Sequence, residues 1–217
     1  MRDIHELQRL ESPAPRPQAL AWDGTTLWMG SRETRIIYAI DPLTWTVRWQ
    51  IAAPGTPYGI TAFGGELRVV CGDMDEDNRT IRRCLPNRGF DPTFALRCPD
   101  DTGSQLSYDG RYVHVSQWYA KKLIALDETG QVLRTTVLPH EICGHVFVDG
   151  CFYVVTTDDE ETTDYWLTRV DLRTSSPKIE DLARIPFGAR ALAFDGTNFW
   201  TNHREKHQIV SFARPDA

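Results

Sequence analysis

Apolar and polar positions alternate in short runs that tight turns separate, and this pattern recurs five times along the 217 residues. The segment ALAFDGTNFW at residues 191–200 has a near-copy, ALAWDGTTLW, at residues 19–28. Three weaker copies begin at Ile60, Gln105 and His145. The turns centre on Asp23, Gly64, Asp109, Asp149 and Asp195, which lie 41, 45, 40 and 46 residues apart. Self-similarity at this period indicates a repeat architecture.

Each copy predicts two strands joined by a tight turn, because Asp-Gly or Gly-Gly between apolar runs favours a type I′ hairpin. A third apolar run follows in every copy, such as RIIYAI from Arg35, and most copies have a fourth, such as TVRWQIA from Thr46. Four strands per unit are typical of propeller blades. We therefore predict an all-β, five-bladed β-propeller of four-stranded antiparallel blades.

The fifth unit lacks a fourth strand, whereas an extra segment at residues 4–11 precedes the first hairpin. We predict that this segment completes the last blade as its outer strand, which closes the ring and covers an open sheet edge. The prediction is a single domain over residues 1–217, with blades at about 18–53, 57–99, 103–139, 143–187 and 189–213. Within the fourth blade, IEDLA at residues 179–183 is ambiguous and would also suit a helical turn.

Charge and hydropathy limit the classes of partner. The formal net charge of −6 argues against nucleic-acid binding, which needs a basic face. No apolar stretch approaches the roughly 20 residues of a membrane span, and the first residues lack the apolar centre of a signal peptide. These features predict a cytoplasmic protein that binds neither nucleic acid nor membrane; its oligomeric state stays open.

The five cysteines show neither a CxxC pair nor a metal-binding spacing. An odd count favours buried thiols in a reducing compartment. A disulfide among Cys71, Cys84 and Cys98 is the alternative.

A ligand site is expected at one mouth of the central channel. In a propeller of this kind the first strands line the channel and the Asp-Gly turns lie at one rim, so the other rim collects side chains that differ between blades. Such a concave site with convergent polar groups suits a small-molecule ligand. We select the positions eight and nine residues after the turn residues and those at the start of the first strands. The predicted substrate-binding residues are Arg32, Tyr58, Gln105, Gln117, Trp118, Arg190 and Arg204. The arginines would clamp a carboxylate or phosphate, and the aromatic rings would form walls or serve packing alone.

His145 and His203 are the candidate catalytic residues, since a histidine pair near neutrality suits general acid/base chemistry. The alternative is that they are hydrogen-bonded structural residues. Asp73 and Asp158 are the candidate metal ligands, because Asp73, Asp75 and Asp77 alternate as in a calcium loop and oxygen ligands suit Ca²⁺ or Mg²⁺. Solvated acidic loops would give the same pattern.

The phrases ALAFDG…FW and RIIYAID…TWTVRWQIAAPGTPYGI resemble hairpin-repeat propellers, in particular virginiamycin B lyase-like and glutamine cyclotransferase-like proteins. The resemblance covers essentially the whole chain and rests on strand and turn motifs. The cyclotransferase-like family is five-bladed, as predicted here, whereas the lyase family has seven blades. The lyase resemblance implies histidine and glutamate acting with magnesium at the channel mouth, where His145 and His203 are expected.

These features together predict an enzyme acting on a polar or carboxylate-bearing small molecule at the channel mouth. Lyase-like or cyclotransferase-like acid/base chemistry is the expected reaction type, with possible assistance from a divalent cation. The alternative is a propeller that binds a ligand or a protein without catalysis.

Overall fold

The computed structural model describes residues 1–73, 78–174 and 176–215. Its strands form five antiparallel sheets of four strands each, arranged as a five-bladed propeller. The predicted fold is therefore confirmed. Within these ranges, none of the helical segments has the length and apolar character that crossing a membrane requires.

Four strands build each blade from the channel outward, and in the first four blades they follow chain order. The first two blades comprise β2 (Pro17–Trp22), β3 (Leu27–Ser31), β4 (Ile36–Asp41), β5 (Thr46–Ala52), β6 (Thr56–Phe63), β7 (Glu66–Gly72), β8 (Thr80–Leu85) and β9 (Gly89–Arg97). The next two comprise β10 (Leu106–Tyr108), β11 (Val113–Gln117), β12 (Lys122–Leu126), β13 (Val132–Val137), β14 (Glu141–Val148), β15 (Cys151–Thr157), β16 (Tyr165–Asp171) and β17 (Lys178–Ile185). The fifth comprises β18 (Ala189–Phe194), β19 (Asn198–His203) and β20 (Gln208–Ala213), with β1 (Glu6–Glu11) outside them.

The strand β1 closes the ring, as the sequence predicts. It pairs antiparallel with β20, with Leu10 opposite Ile209 and Arg9 opposite Val210. Just before it, the Ile4 amide donates to the Arg184 carbonyl at 2.9 Å. The N-terminal segment thus contacts both the fifth and the fourth blade, and it covers the edge of β20.

The core consists of five apolar clusters, each lying between two neighbouring blades. Leu20 and Trp200 belong to the cluster between the first and fifth blades, for example, and Tyr153 and Phe199 to the one between the fourth and fifth. Because each sheet packs on both faces, inner strands such as β3 are buried at every position. Aromatic side chains fill the wedges between the twisted sheets and bury large areas there.

The recurring aspartate has a structural role in the hairpins. Asp195 accepts hydrogen bonds from the amides of Thr197 and Asn198 through one carboxylate oxygen, and from Trp200 Nε1 at 2.7 Å through the other. The first copy makes the same contacts from Asp23 to Trp28. This network explains the spacing of Asp and Trp in the repeat.

The type I′ prediction holds in two of the five turns. Both central residues have positive φ at Gly64–Gly65 and at Asp149–Gly150, as type I′ requires. In the turns after Asp23, Asp109 and Asp195 only the glycine has positive φ, because there the aspartate caps the turn rather than occupying its centre.

Two alternatives are settled by strand pairing and packing. Residues 179–183 belong to β17, which pairs along its length with β16, so a helical turn is wrong. All five cysteines are free and buried. Cys71 and Cys84 pack between the first and second blades, whereas Cys98 packs between the second and third. Burial raises the pKa of the Cys71 thiol to about 12, which keeps it protonated and unreactive.

Two glycines permit the inner strands to cross closely. A Cβ at Gly59 would lie 2.5 Å from the Ser104 carbonyl oxygen, and one at Gly144 would lie 2.6 Å from the backbone of Ala191. These contacts join β6 to the third blade and β14 to β18. At Gly188, by contrast, an added Cβ would meet only the Tyr165 ring at 3.9 Å, an ordinary contact.

We expect Gly59→Ala and Gly144→Ala each to lower the free energy of unfolding by roughly 3 kcal/mol, because backbone atoms cannot move aside as a side chain can. The matched control Gly188→Ala should change it by less than about 1 kcal/mol. Urea denaturation at pH 7 measures all three. Equal effects at the three positions would contradict the close crossing.

Candidate functional site

A cavity of about 440 Å³ opens at the rim opposite the Asp-Gly turns. We call it the mouth. Five of the predicted site residues line it: Arg32, Tyr58, Gln117, Trp118 and Arg204. They come from four of the five blades, at the ends of inner strands or just beyond them. The ring geometry thus brings together residues that lie far apart in the chain.

The mouth also contains residues that the sequence analysis did not select. The main ones are Gln18, Arg79, Ser104, Tyr119 and Glu160. Gln18 lies near the start of β2, the first strand of the first blade. Arg79, Tyr119 and Glu160 lie in connections of unequal length, so counting from the turn residues does not reach them. The acidic run at residues 158–161 was the only signal for Glu160.

Arg190 lies behind the wall of the mouth, and its side chain is 5% exposed. Its guanidinium carbon lies 4.7 Å from the centroid of the Trp118 ring. Its Nη1 atom faces Glu160 Oε2 at 3.3 Å. The predicted arginine is therefore part of the site, but Trp118 and Glu160 separate it from the cavity.

Arg204 connects the fifth blade to the first. Its Nη1 donates to Gln18 Oε1 at 3.1 Å, and its Nε donates to Glu205 Oε1 at 2.8 Å. Burial, followed by the nearby charges of Arg190 and Arg32, lowers the pKa of Arg204. Arg32, Arg190 and Arg204 therefore lie near one another on this side of the mouth.

Several arginine donors around the mouth lack acceptors. In the described part of the chain, the buried Nε atoms of Arg32, Arg79 and Arg190 have no hydrogen-bond partner, and neither does Arg190 Nη1. Arg190 Nη1 has only the longer ionic contact with Glu160. Buried donors left unsatisfied are costly and infrequent in native structures. All three arginines lie at or directly behind the mouth, so their guanidinium groups are placed close to one cavity.

Aromatic rings form the opposite wall. Trp118 donates from Nε1 to Glu141 Oε2 at 2.8 Å, which fixes its ring. The adjacent Tyr119 is 68% exposed, with its ring centroid 5.9 Å from that of Trp118. On the other side, Arg79 lies over the Tyr58 ring at 3.8 Å. The lining of the mouth thus combines arginines with aromatic rings, and Arg79 and Arg190 each lie against one of the rings.

Tyr119 and Glu160 form the titratable pair of the mouth. The tyrosine hydroxyl donates to Glu160 Oε1 at 2.7 Å. Burial and this hydrogen bond to a carboxylate raise the pKa of Tyr119 to about 12. The phenol is therefore neutral at pH 7 and holds the glutamate in place.

Gln105 lies on the channel axis rather than in the mouth, and it is 1% exposed. Its Nε2 amide faces the backbone carbonyls of Gln18, Tyr58 and Arg190 at 2.9–3.0 Å. Gln18 in β2 and Tyr58 in β6 have no paired residue on the neighbouring strand. The same is true of Arg190 in β18. A bulge leaves such carbonyls unpaired, and Gln105 satisfies them. The predicted ligand contact is instead a structural link.

His145 is buried deep in the channel and lines a different cavity, of about 150 Å³, nearer the Asp-Gly turns. Its Nε2–H donates to the Gln105 carbonyl at 3.2 Å, so Nδ1 accepts from the Ser107 hydroxyl at 2.8 Å. Burial, together with the nearby His114, lowers the pKa of His145 to about 3. These contacts match the alternative of a hydrogen-bonded channel residue.

His203 lies away from His145. Its ring stacks on Phe187 with centroids 5.1 Å apart. Burial and the charge of Arg9 in β1 lower the pKa of His203. The two histidines thus have no cavity in common, and the structure does not assemble the predicted acid/base pair.

The two candidate metal ligands make other contacts. Asp73 accepts from Asn78 Nδ2 at 2.9 Å, and Asp158 pairs with His140 Nδ1 at 2.7 Å. Asp75 and Asp77 of the proposed calcium loop lie outside the described residues. Across the ranges 1–73, 78–174 and 176–215, no cluster of three His, Cys, Asp or Glu side chains has a metal-holding arrangement. Asp73 and Asp158 thus have other partners, and the Ca²⁺ or Mg²⁺ site that the sequence suggests stays a prediction.

Comparison with known proteins supports the fold alone. No protein-family model matches the chain, and no curated protein matches it either. Regucalcin from Agrobacterium tumefaciens, described as a calcium-binding protein, is a similar solved structure. It has a TM-score of 0.61 and 10% identity over 98% of this chain and 95% of that chain.

Two further solved structures are similar. Hydrazine synthase of Kuenenia stuttgartiensis has a TM-score of 0.57 and 14% identity over 91% of this chain, which spans 64% of that chain. A protein of unknown function from Bacteroides caccae has a TM-score of 0.59 and 14% identity, over 92% of this chain and 78% of that chain. At these identities the likeness shows a shared propeller fold. The finer resemblance to lyase-like or cyclotransferase-like proteins stays a prediction.

His145 should make the protein sensitive to acid. Its ordinary pKa is 6.5 and its folded pKa is about 3, so between these values the unfolded chain binds a proton that the folded chain does not. Stability should therefore fall as pH falls from about 6.5, by about 1.4 kcal/mol per pH unit from this residue. In His145→Gln that contribution should vanish, although the variant should be less stable at pH 7 because it loses hydrogen bonds.

Urea midpoints between pH 4 and 7 measure this slope, with exposed His5→Gln as the matched control. The control should keep the wild-type slope. A His145→Gln curve parallel to wild type would show that His145 is not held neutral in the channel.

Proposed function

We propose that the mouth binds a small anionic molecule. The observation that carries this proposal is the group of buried arginine donors, on Arg32, Arg79 and Arg190, that lack acceptors around one cavity in the described residues. An anion in the mouth would supply acceptors to these donors and offset part of the positive charge of Arg32 and Arg204, which line it.

The chemistry of guanidinium favours a carboxylate or phosphate as the anionic group. The planar fork of arginine donors matches paired oxygens, and charge-assisted hydrogen bonds of this type are stronger than neutral ones. The protein as a whole carries a net charge of −6. A cationic recess in an acidic protein focuses attraction for anions at one position.

Binding without catalysis accounts for these features, and an acid/base enzyme is a second candidate. The observation that favours catalysis is the Tyr119–Glu160 hydrogen bond of 2.7 Å at the cavity. A neutral phenol beside a carboxylate would provide a proton donor and a proton acceptor, as lyase-like or cyclotransferase-like chemistry on a carboxylate-bearing substrate requires. His145 and His203, which the sequence suggested for this task, lie away from the mouth.

Catalysis would be tested by following product formation from β-substituted carboxylic acids in wild type, Glu160→Gln and Tyr119→Phe. Turnover lost in both variants while the same acids still bind would favour the enzyme. Binding without turnover in the wild type would favour the binding protein.

Removal of a mouth arginine should weaken anion binding. We expect Arg32→Gln to weaken binding of benzoate and inorganic phosphate by about 10-fold to 100-fold, the loss of one charge-assisted hydrogen bond. Arg190→Gln should have an effect at least as large. Isothermal titration calorimetry at low salt gives the affinities, and thermal unfolding shows whether each variant is folded.

Arg134→Gln is the matched control, because Arg134 lies on the exposed outer strand β13. It removes the same charge but should leave anion binding within about twofold, as expected for a distant screened charge. If Arg134→Gln weakened anion binding as much as Arg32→Gln does, the effect would come from the net charge of the protein and not from the mouth. No anion binding to the wild type would refute the proposal.

A further inference from the structure

Glu160 occupies the position where an anion would contact Arg190. This residue lies in the connection between β15 and β16 of the fourth blade, and it reaches across to the fifth. Its Oε2 atom lies 3.3 Å from Arg190 Nη1, and its backbone oxygen accepts from Arg190 Nη2 at 3.4 Å. The chain thus places one of its own carboxylates on the arginine.

This internal contact satisfies Arg190 incompletely. Charge-assisted hydrogen bonds between guanidinium and carboxylate are typically about 2.7–2.9 Å long, shorter than the distance here. Within the described ranges, Nε and Nη1 of Arg190 have no hydrogen-bond acceptor. Glu160 is also partly exposed, with 32% of its side chain accessible. A carboxylate oxygen that approached Nη1 to this shorter distance would make the better partner.

The surroundings of Arg190 indicate what else the ligand carries. Trp118 lies against the guanidinium at 4.7 Å, and its ring also lines the mouth. Tyr119 lines the same cavity with 68% of its surface exposed. Exposed aromatic side chains at the wall of a cavity mark a contact surface for a flat apolar group.

We infer that the ligand is an aromatic carboxylate whose carboxylate replaces Glu160 on Arg190 and whose ring packs against Trp118 and Tyr119. This inference rests on the proposed anion binding at the mouth. Glu160 then competes with the ligand for Arg190. It partly neutralises Arg190 in the free protein and is displaced when the ligand binds. Tyr119 holds Glu160 through its hydroxyl, so it takes part in the same exchange.

The competition is tested by titrating benzoate into wild type, Glu160→Gln and Glu161→Gln. Removal of the competing carboxylate should tighten benzoate binding about tenfold, since the ligand no longer displaces an ion pair. Glu161→Gln is the matched control, because it makes the same charge change one residue along. It should alter binding by less than about twofold.

Tyr119→Phe provides a second variant that retains the aromatic wall. It frees Glu160 from its 2.7 Å hydrogen bond and should also tighten benzoate binding, by a few-fold for one hydrogen bond. Thermal unfolding of each variant without ligand reports whether it is folded. If Glu160→Gln fails to fold, Tyr119→Phe still decides the competition.

The ring is tested with acetate and cyclohexanecarboxylate as probes that keep the carboxylate. Benzoate should bind about fivefold to tenfold more tightly than acetate, which corresponds to one aromatic contact. It should also bind more tightly than cyclohexanecarboxylate, whose ring is not flat. Inorganic phosphate tests whether the anionic group alone suffices.

The outcomes separate this inference from the function on which it rests. Equal binding of benzoate, acetate and phosphate would overturn the aromatic part while the anion site stands. Unchanged or weaker benzoate binding in both Glu160→Gln and Tyr119→Phe would overturn the competition. If none of these anions binds any variant, the proposed function itself fails.

Discussion

The amide of Gln105 holds the centre of the propeller. Its side-chain Nε2 atom faces backbone carbonyls of the first, second and fifth blades at 2.9–3.0 Å. The backbone carbonyl of Gln105 accepts a hydrogen bond from His145 of the fourth blade. Gln105 precedes β10 of the third blade, so all five blades meet at this residue. The hydrophobic interfaces supply most of the burial, but they cannot satisfy polar groups on the axis. Gln105 meets that requirement, and in the chain it lies between Ser104, which lines the mouth, and Ser107, which lines the channel cavity.

The same geometry builds the mouth. Three bulged residues have no paired residue on the neighbouring strand: Gln18, Tyr58 and Arg190. The backbone carbonyl of each faces the side-chain amide of Gln105. The side chains of Gln18 and Tyr58 line the cavity, and that of Arg190 lies just behind it. The bulges therefore link the structural centre to the ligand site. The backbone of Arg190 is held within β18 and by Gln105. Glu160, by contrast, reaches Arg190 from the connection between β15 and β16.

The two rims of the propeller illustrate different demands on the sequence. At one rim every turn contains a glycine at positive φ, and Asp23, Asp109 and Asp195 each cap one of these turns. At the mouth the blades contribute different side chains, among them arginines that lie against aromatic rings. The incomplete pairing of Arg190 with Glu160 fits a site that exchanges an internal carboxylate for a ligand. The channel histidine, by contrast, is fully satisfied and held neutral.

Local sequence determined the fold, because Asp-Gly turns, strand alternation and a period near 40 residues each act over a few neighbours. It also determined which rim is variable, so counting from the turns reached Arg32, Trp118 and Arg204. Only the tertiary structure decided the depth of each side chain. The bulged position that Tyr58 holds in β6 belongs to Cys143 in β14, so His145 lies two residues further along its strand and falls inside the channel. Arg79, Tyr119 and Glu160 enter the mouth from connections of unequal length. Contacts of this kind depend on how the blades pack around the axis, which no local pattern encodes.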